Sequence, residues 1–253
     1  MGVLDGKVAL ITGGGKGVGF GIASALSKEG ADIFICGRHE KPLAAAAEKL
    51  QANGVRAEYL VGNVSEADDC STIVETCAER LGGVDILVNN ANDAMPIPLL
   101  DVSDDDFTRF FRTGPLAVLR LMKACHPLMV ARGGGSVINL VTSSAVRWDM
   151  ATYGPYAAVK EATRSLTRAA GCEWGKDNIR VNAIAPHAMT PSLQWWTETY
   201  PEEAEAFVKS IPLGRIGDAE QDIGRIAVFL CSTDAAYLSG VTIPADGGHS
   251  RWG

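Results

Sequence analysis

Tyr156 and Lys160 stand four residues apart in the run Tyr156-Ala157-Ala158-Val159-Lys160. On a helix, positions i and i+4 share one face, so this spacing points a phenol and an ammonium the same way. A fixed cation favours the phenolate, which lowers a tyrosine pKa from its ordinary value of about 10 and makes Tyr156 a candidate acid/base near neutral pH. Taken alone the pair is weak, because most such pairs lie on solvated helix faces. Three hydroxyls, Thr142, Ser143 and Ser144, lie upstream in a row. A second constellation is the run Thr12-Gly13-Gly14-Gly15-Lys16-Gly17-Val18-Gly19, which ends an apolar stretch and is followed at once by a helical pattern. Glycines there let the backbone approach a pyrophosphate, and the helix N-terminus then faces the anion.

The elements that must carry these residues alternate. Short β-rich runs fall at residues 7–12, 32–37, 56–62, 86–89, 136–141, 180–185 and 242–245. Helical patterns lie between most of them, at residues 20–29, 41–53, 68–81, 105–131 and 156–174. Continuously apolar strands alternating with helices predict a parallel sheet covered on both faces. Internal repeats and linkers are missing, so residues 1–253 read as one domain. The stretch 187–212 is the least regular, with prolines inside it and the pair Trp195-Trp196, and reads as a lid.

Composition excludes several classes. A chain of 253 residues that is 47% hydrophobic has ample material for one large α/β core. The net charge of −7 offers no basic footprint for nucleic acid or anionic lipid. Apolar runs fall short of the roughly 20 residues that span a bilayer, and residues 1–7 lack the layout of a signal peptide, so a cytoplasmic protein is expected. Six scattered cysteines without a Cys-x-x-Cys read as buried reduced thiols, and four unclustered histidines argue against a metal centre.

The glycine spacing Gly-x-x-x-Gly-x-Gly, together with Tyr-x-x-x-Lys, resembles the short-chain dehydrogenase/reductase family. Asn89-Asn90-Ala91-Asn92 is similar to its Asn-Asn-Ala-Gly motif, with Asn92 in the glycine's place. Ile179–Pro186 resembles its sixth-strand motif and Asp246-Gly247-Gly248 its C-terminal one. The resemblance covers almost the whole chain. It implies a Rossmann-type doubly wound parallel sheet of about seven strands. It further implies an oxidoreductase that moves hydride between a nicotinamide and a carbonyl or alcohol carbon. Tyr156 would be the acid/base, Lys160 would lower its pKa and hold the ribose, and a serine would hold the substrate oxygen. Family spacing before the tyrosine points to Ser143, whereas counting from the strand points to Thr142; Ser143 is the choice made. The dinucleotide would be held by Gly13, Gly15, Lys16, Gly17, Val18 and Gly19, by Asn63 and Val64, by Asn90 and Ala91, and by Pro186 and Thr190 beside the Tyr156/Lys160 pair. One residue departs from the family pattern: Phe111 stands where relatives carry an asparagine that helps hold a water next to the lysine.

An acidic residue at the end of the second strand would select NAD, but here Gly37 and Arg38 stand there. A guanidinium suits a ribose 2′-phosphate, and Lys16 adds charge on the same side, so NADP(H) is expected over NAD(H). The substrate side would include Asp93, Met95, Phe111, Trp148, Met150, His187, Met189, Trp195, Trp196 and Tyr200. This apolar, aromatic set favours a hydrophobic, cyclic or aromatic ketone or alcohol. Relatives assemble as homotetramers or dimers, and Trp252 reads as an exposed aromatic suited to such an interface. The competing readings are a dinucleotide-binding sensor or scaffold and, more weakly, an enoyl reductase.

Overall fold

In the computed structural model, which describes residues 2–147, 149 and 151–252, seven parallel strands form one sheet in the order β3-β2-β1-β4-β5-β6-β7. The strands are β1 (Val8–Thr12), β2 (Asp32–Gly37), β3 (Ala57–Val61), β4 (Ile86–Asn89), β5 (Gly135–Leu140), β6 (Ile179–Pro186) and β7 (Thr242–Ala245). Each lies within two residues of its predicted span. Every residue of β1 is buried, as a strand covered on both faces requires. Side chains alternate between two cores: Ala9, Ile11, Ile33 and Ile35 pack on one face, and Val8, Leu10, Phe34 and Cys36 on the other.

Helices α1 (Gly17–Lys28), α2 (Glu40–Gln51) and α9 (Arg225–Cys231) cover the first face, through Ile22, Leu26, Leu43, Leu50, Val228 and Leu230. Helices α3 (Ala67–Leu81) and α5 (Ala117–Ala131) cover the second, through Ile73, Val74, Leu121 and Met129. The strand order reverses between β1 and β4, and this switch point opens a crevice at their carboxyl ends. The glycine loop follows β1 and Asn90-Ala91 follows β4, so the topology alone brings the two motifs to one place.

Three expectations are corrected. The pattern at residues 105–131 is not one helix: α4 (Asp104–Phe111) and α5 are joined by a π-type segment, Arg112–Leu116, with Gly114 far from helical backbone angles (φ −95°, ψ −113°). The signal was the Gly114-Pro115 pair, since a proline inside a helix removes a hydrogen bond and kinks it. The stretch 187–212 is not irregular but holds α7 (Pro191–Thr199) and α8 (Pro201–Ser210), each opened by a proline at its first position, where the missing N–H costs nothing. Trp252 is not an exposed aromatic. It packs on Val141, Ala183 and Ala185, under the Arg164 guanidinium, 5.4 Å from the ring centroid.

Candidate active site

The glycine loop is shaped for an anion. Gly13 and Gly17 have φ of +66° and +58°, and a Cβ on Gly19 would stand 2.5 Å from Gly13 O. Lys16, at the N-cap of α1, makes no side-chain cap, and the first turn carries no acidic residue. The first amide groups of α1 therefore remain available to an anion, as a pyrophosphate site requires. Thr12, which carried no role in the sequence reading, ties the two loops together. Its hydroxyl accepts the N–H groups of Asn90 and Ala91, both at 3.0 Å, while the Asn90 amide donates to Thr12 O at 2.9 Å. Thr190, at the start of α7, lies against the same loop, its methyl 3.7 Å from where a Gly17 Cβ would be.

At the end of β2, Arg38 is exposed and its guanidinium lies 3.4 Å from the Asp93 carboxylate. Arg109 of α4 pairs with the other oxygen of the same carboxylate. Asp93, expected among the substrate-side residues, is thus the shared ion-pair partner of Arg38 and Arg109. Asn63 uses its side-chain oxygen on Ser65 N, at 3.2 Å, and Val64 beside it is buried.

Helix α6 (Gly154–Glu173) carries Tyr156 and Lys160 on one face. Two contacts fix α6 on β5: Asn139, fully buried, donates to Thr167 Oγ1 at 2.8 Å, and Lys160 Nζ donates to Leu140 O at 2.8 Å. Beyond β5 the chain stays extended at Thr142, whose side chain lies beside the Tyr156 phenol and favours its ionised form, and whose hydroxyl accepts from Ser144 N at 3.1 Å. Ser143, the choice of the sequence analysis, has another partner. Its hydroxyl donates instead to buried Asp246, at 2.8 Å. Tyr153 meets Tyr156 edge-on, with ring centroids 6.0 Å apart.

Electrostatics depart from expectation as well. Burial pushes Tyr156 up to about 12, against the hydrogen bond from Thr142 that favours the phenolate, and burial brings Lys160 down to about 8. Burial, and not the lysine, sets the direction of the Tyr156 shift; the Lys160 ammonium lies over the ring, 5.7 Å from the centroid, and donates to Leu140 O.

Phe111 closes α4, which packs against α6. Its ring meets that of Phe107 at a tilt of 46°, centroids 5.1 Å apart. Gly114, in the segment after it, also meets α6: a Cβ there would lie 2.3 Å from Val159 Cγ1, one residue before Lys160.

On the substrate side, His187 and Trp196 converge on Phe207 of α8, a residue the sequence reading did not single out, with centroids 5.1 and 5.7 Å away. His249 stacks on His187 at 5.4 Å, and Arg147 donates to His249 Nδ1 at 2.9 Å. Burial, the neighbouring His249 and Arg147 all hold the His187 pKa down, outweighing the opposing pull of Asp246. Trp195 instead faces solvent beside Tyr200, and Met95 is also exposed. Trp148 and Met150 lie outside the described residues.

The family model described as enoyl-(acyl carrier protein) reductase matches residues 13–250. A 12α-hydroxysteroid dehydrogenase of a Clostridium species is 40% identical, across 98% of each chain. The chain is a member of the short-chain dehydrogenase/reductase family. The structure of a 7α-hydroxysteroid dehydrogenase complexed with NADH and 7-oxo glycochenodeoxycholic acid superposes with a TM-score of 0.92 at 31% identity, over 98% of both chains. L-Sorbose reductase from Gluconobacter frateurii, complexed with NADPH and L-sorbose, gives 0.90 at 32% identity, over 100% of this chain and 99% of that one. As a short-chain dehydrogenase/reductase the protein is an oxidoreductase. Four of its six cysteines are buried and Cys172 is exposed. Among the described residues there is no metal-binding cluster and no helix long and apolar enough to cross a membrane.

Proposed function

We propose that this oxidoreductase interconverts a bulky hydrophobic, cyclic ketone and its secondary alcohol, of the size of a hydroxysteroid, with NADP(H) preferred over NAD(H). The observation that carries the reading is the Thr142–Tyr156–Lys160 arrangement at the carboxyl end of β5, next to a glycine loop shaped for a dinucleotide. The similar hydroxysteroid dehydrogenases and the cluster of Trp196, Phe207, His187 and His249 support a large apolar substrate. Arg38 and Lys16, without an acidic residue at the end of β2, support the phosphorylated cofactor.

When bound, a nicotinamide cofactor supplies or takes the hydride. The chain's own part is proton transfer and orientation. In reduction, Tyr156 gives its phenolic proton to the carbonyl oxygen while the Thr142 hydroxyl donates to that oxygen and fixes it. In oxidation, the Tyr156 phenolate takes the proton back. Lys160, held on Leu140 O, keeps a positive charge beside the phenolate. Thr142 takes the role first given to Ser143, whose hydroxyl is engaged by Asp246. Gly13, Gly15, Gly17, Val18 and Gly19 would hold the pyrophosphate, with Asn63, Val64, Asn90 and Ala91 lining the adenosine side and Pro186 and Thr190 the nicotinamide side. Exposed Phe107, Leu116 and Leu119 on α4, α5 and their junction suit a homo-oligomer interface.

The test follows NADPH absorbance with a panel of cyclic ketones, keto-steroids included, and one enoyl thioester, beside Tyr156→Phe. Turnover of the ketones that Tyr156→Phe abolishes is the expected result. Turnover of the thioester alone would establish enoyl reduction. Tight NADPH binding without turnover of any member would establish a sensor.

A further inference from the structure

We propose that the segment following β7, Asp246–Trp252, is a clasp that positions the Thr142 hydroxyl against Tyr156, with Asp246 as its central positioning residue. This rests on the assignment of Thr142 and Tyr156 above.

Three residues of this segment grip three residues of the loop that follows β5. Trp252 packs on Val141, Asp246 accepts from Ser143 Oγ at 2.8 Å, and His249 receives Arg147 Nη1 at 2.9 Å. Thr142 lies inside that grip. Successive residues of an extended segment project to opposite sides, so Val141 and Ser143 point to the clasp while Thr142 points to Tyr156. Fixing the residues on either side of Thr142 therefore fixes its hydroxyl without touching it.

Asp246 is suited to the task because it is itself immobilised. It is buried, and Gly248 N and Ser250 N both donate to it at 3.1 Å, as does the Ser250 hydroxyl. These bonds and the Ser143 hydroxyl outweigh the penalty of burial and hold the carboxyl ionised. A carboxylate with several fixed donors gives Ser143 one position to bond to, rather than a range.

Ser143 is thereby a positioning residue, one step removed from the reacting atoms. A displacement of about 1 Å in a catalytic group can cost about 100-fold in rate, so loosening the clasp should be felt in kcat.

The experiment compares Ser143→Ala, Asp246→Asn and the double variant in the full chain, with NADPH and a ketone that the wild type reduces. Each single variant should lower kcat about 10- to 100-fold, and the double variant should be no slower than Asp246→Asn alone, because Asp246→Asn already breaks the contact that Ser143→Ala removes. The dissociation constant for NADPH, read by fluorescence, should not change. The pH at which alcohol oxidation gains its phenolate should move upward, since Thr142 supports the ionised form of Tyr156. Trp252→Phe should keep activity, because it keeps the packing on Val141 and removes an indole N–H that is buried without a partner among the described residues. An inactive Ser143→Ala beside a fully active Asp246→Asn would make Ser143 itself the catalytic hydroxyl and overturn the clasp. Additive losses, or a wild-type kcat and pH profile in Ser143→Ala, would overturn it too, even if Asp246→Asn fails to fold. Full activity in Thr142→Ala would instead remove the assignment beneath it.

Discussion

The Thr142 side chain lies beside the Tyr156 phenol and favours its ionised form, while Ser143, the next residue, donates its hydroxyl to Asp246. Thr142→Ala should therefore lower kcat for ketone reduction about 100- to 1,000-fold, the cost of losing one preorganised donor to a developing oxyanion. Thr142→Ser keeps the hydroxyl and should recover much of the rate. Steady-state kinetics with saturating NADPH checks both, and a Thr142→Ala enzyme at wild-type rate would sink the assignment.

The pH dependence should differ in sign between directions. Tyr156 is pushed up to about 12 by burial, so its proton is in place throughout the neutral range and kcat/KM for reduction should stay flat towards pH 8. Above that, Lys160, brought down to about 8, loses its charge and with it the support of the phenolate that reduction leaves behind. Oxidation needs the phenolate first, so its kcat/KM should climb with pH from neutrality. Profiles measured in both directions decide this. An oxidation rate independent of pH between 7 and 9 would contradict it.

What was legible in the sequence follows physical lines. The seven strands could be read because burial on both faces forces continuous apolar runs, as in Val8–Thr12. The Tyr156/Lys160 pair and the glycine loop could be read because helix period and backbone sterics fix them locally. The choice among Thr142, Ser143 and Ser144 was not legible, because a count back from Tyr156 to Ser143 runs through the loop of residues 143–153, whose length is free to vary. The count along β5, where the rise per residue is fixed, reaches Thr142. Asp93 on Arg38 and Asp246 on Ser143 are pairings between segments far apart in the chain, and no local pattern encodes them.

Arg38→Ala should weaken NADPH far more than NADH. A charge-assisted hydrogen bond contributes about 1.5–3 kcal/mol, which is about 10- to 100-fold in dissociation constant. Fluorescence titration with each cofactor reads the ratio directly. Because Arg38 is paired with Asp93 at 3.4 Å, that carboxylate must share or release the guanidinium when a phosphate arrives. Asp93→Asn should then tighten NADPH slightly and leave NADH unchanged. Equal losses for both cofactors in Arg38→Ala would remove the preference for NADP(H).

Thr152, in the loop before α6, has φ of +70°, a conformation that a β-branched residue adopts only under strain. Its carbonyl accepts Ile97 N at 2.9 Å, which binds the loop after β4 to the loop that carries Tyr153. Thr152→Gly relieves the strain and should raise stability by about 1 kcal/mol, or roughly 2–4 °C in Tm. An unchanged or lower Tm would show that the side chain contributes more than its backbone costs.

Gly114 sits at the kink between α4 and α5, and α6 packs directly on it. A Cβ there would stand 2.3 Å from Val159 Cγ1, with no flexible side-chain end to give way. Gly114→Ala should cost about 1–3 kcal/mol through overpacking. The clash falls one residue from Lys160, whose hold on Leu140 O sets the ammonium in place. The variant should therefore lose kcat as well as Tm, while a glycine-loop property such as NADPH affinity is kept. Trimming the partner separates packing from any other cause. Val159→Ala removes the methyl that the new Cβ meets, so the Gly114→Ala/Val159→Ala double variant should regain Tm relative to Gly114→Ala and recover part of its rate. If the double variant melts no higher than Gly114→Ala, the kink's own backbone angles, and not the contact with α6, are what demand a glycine there.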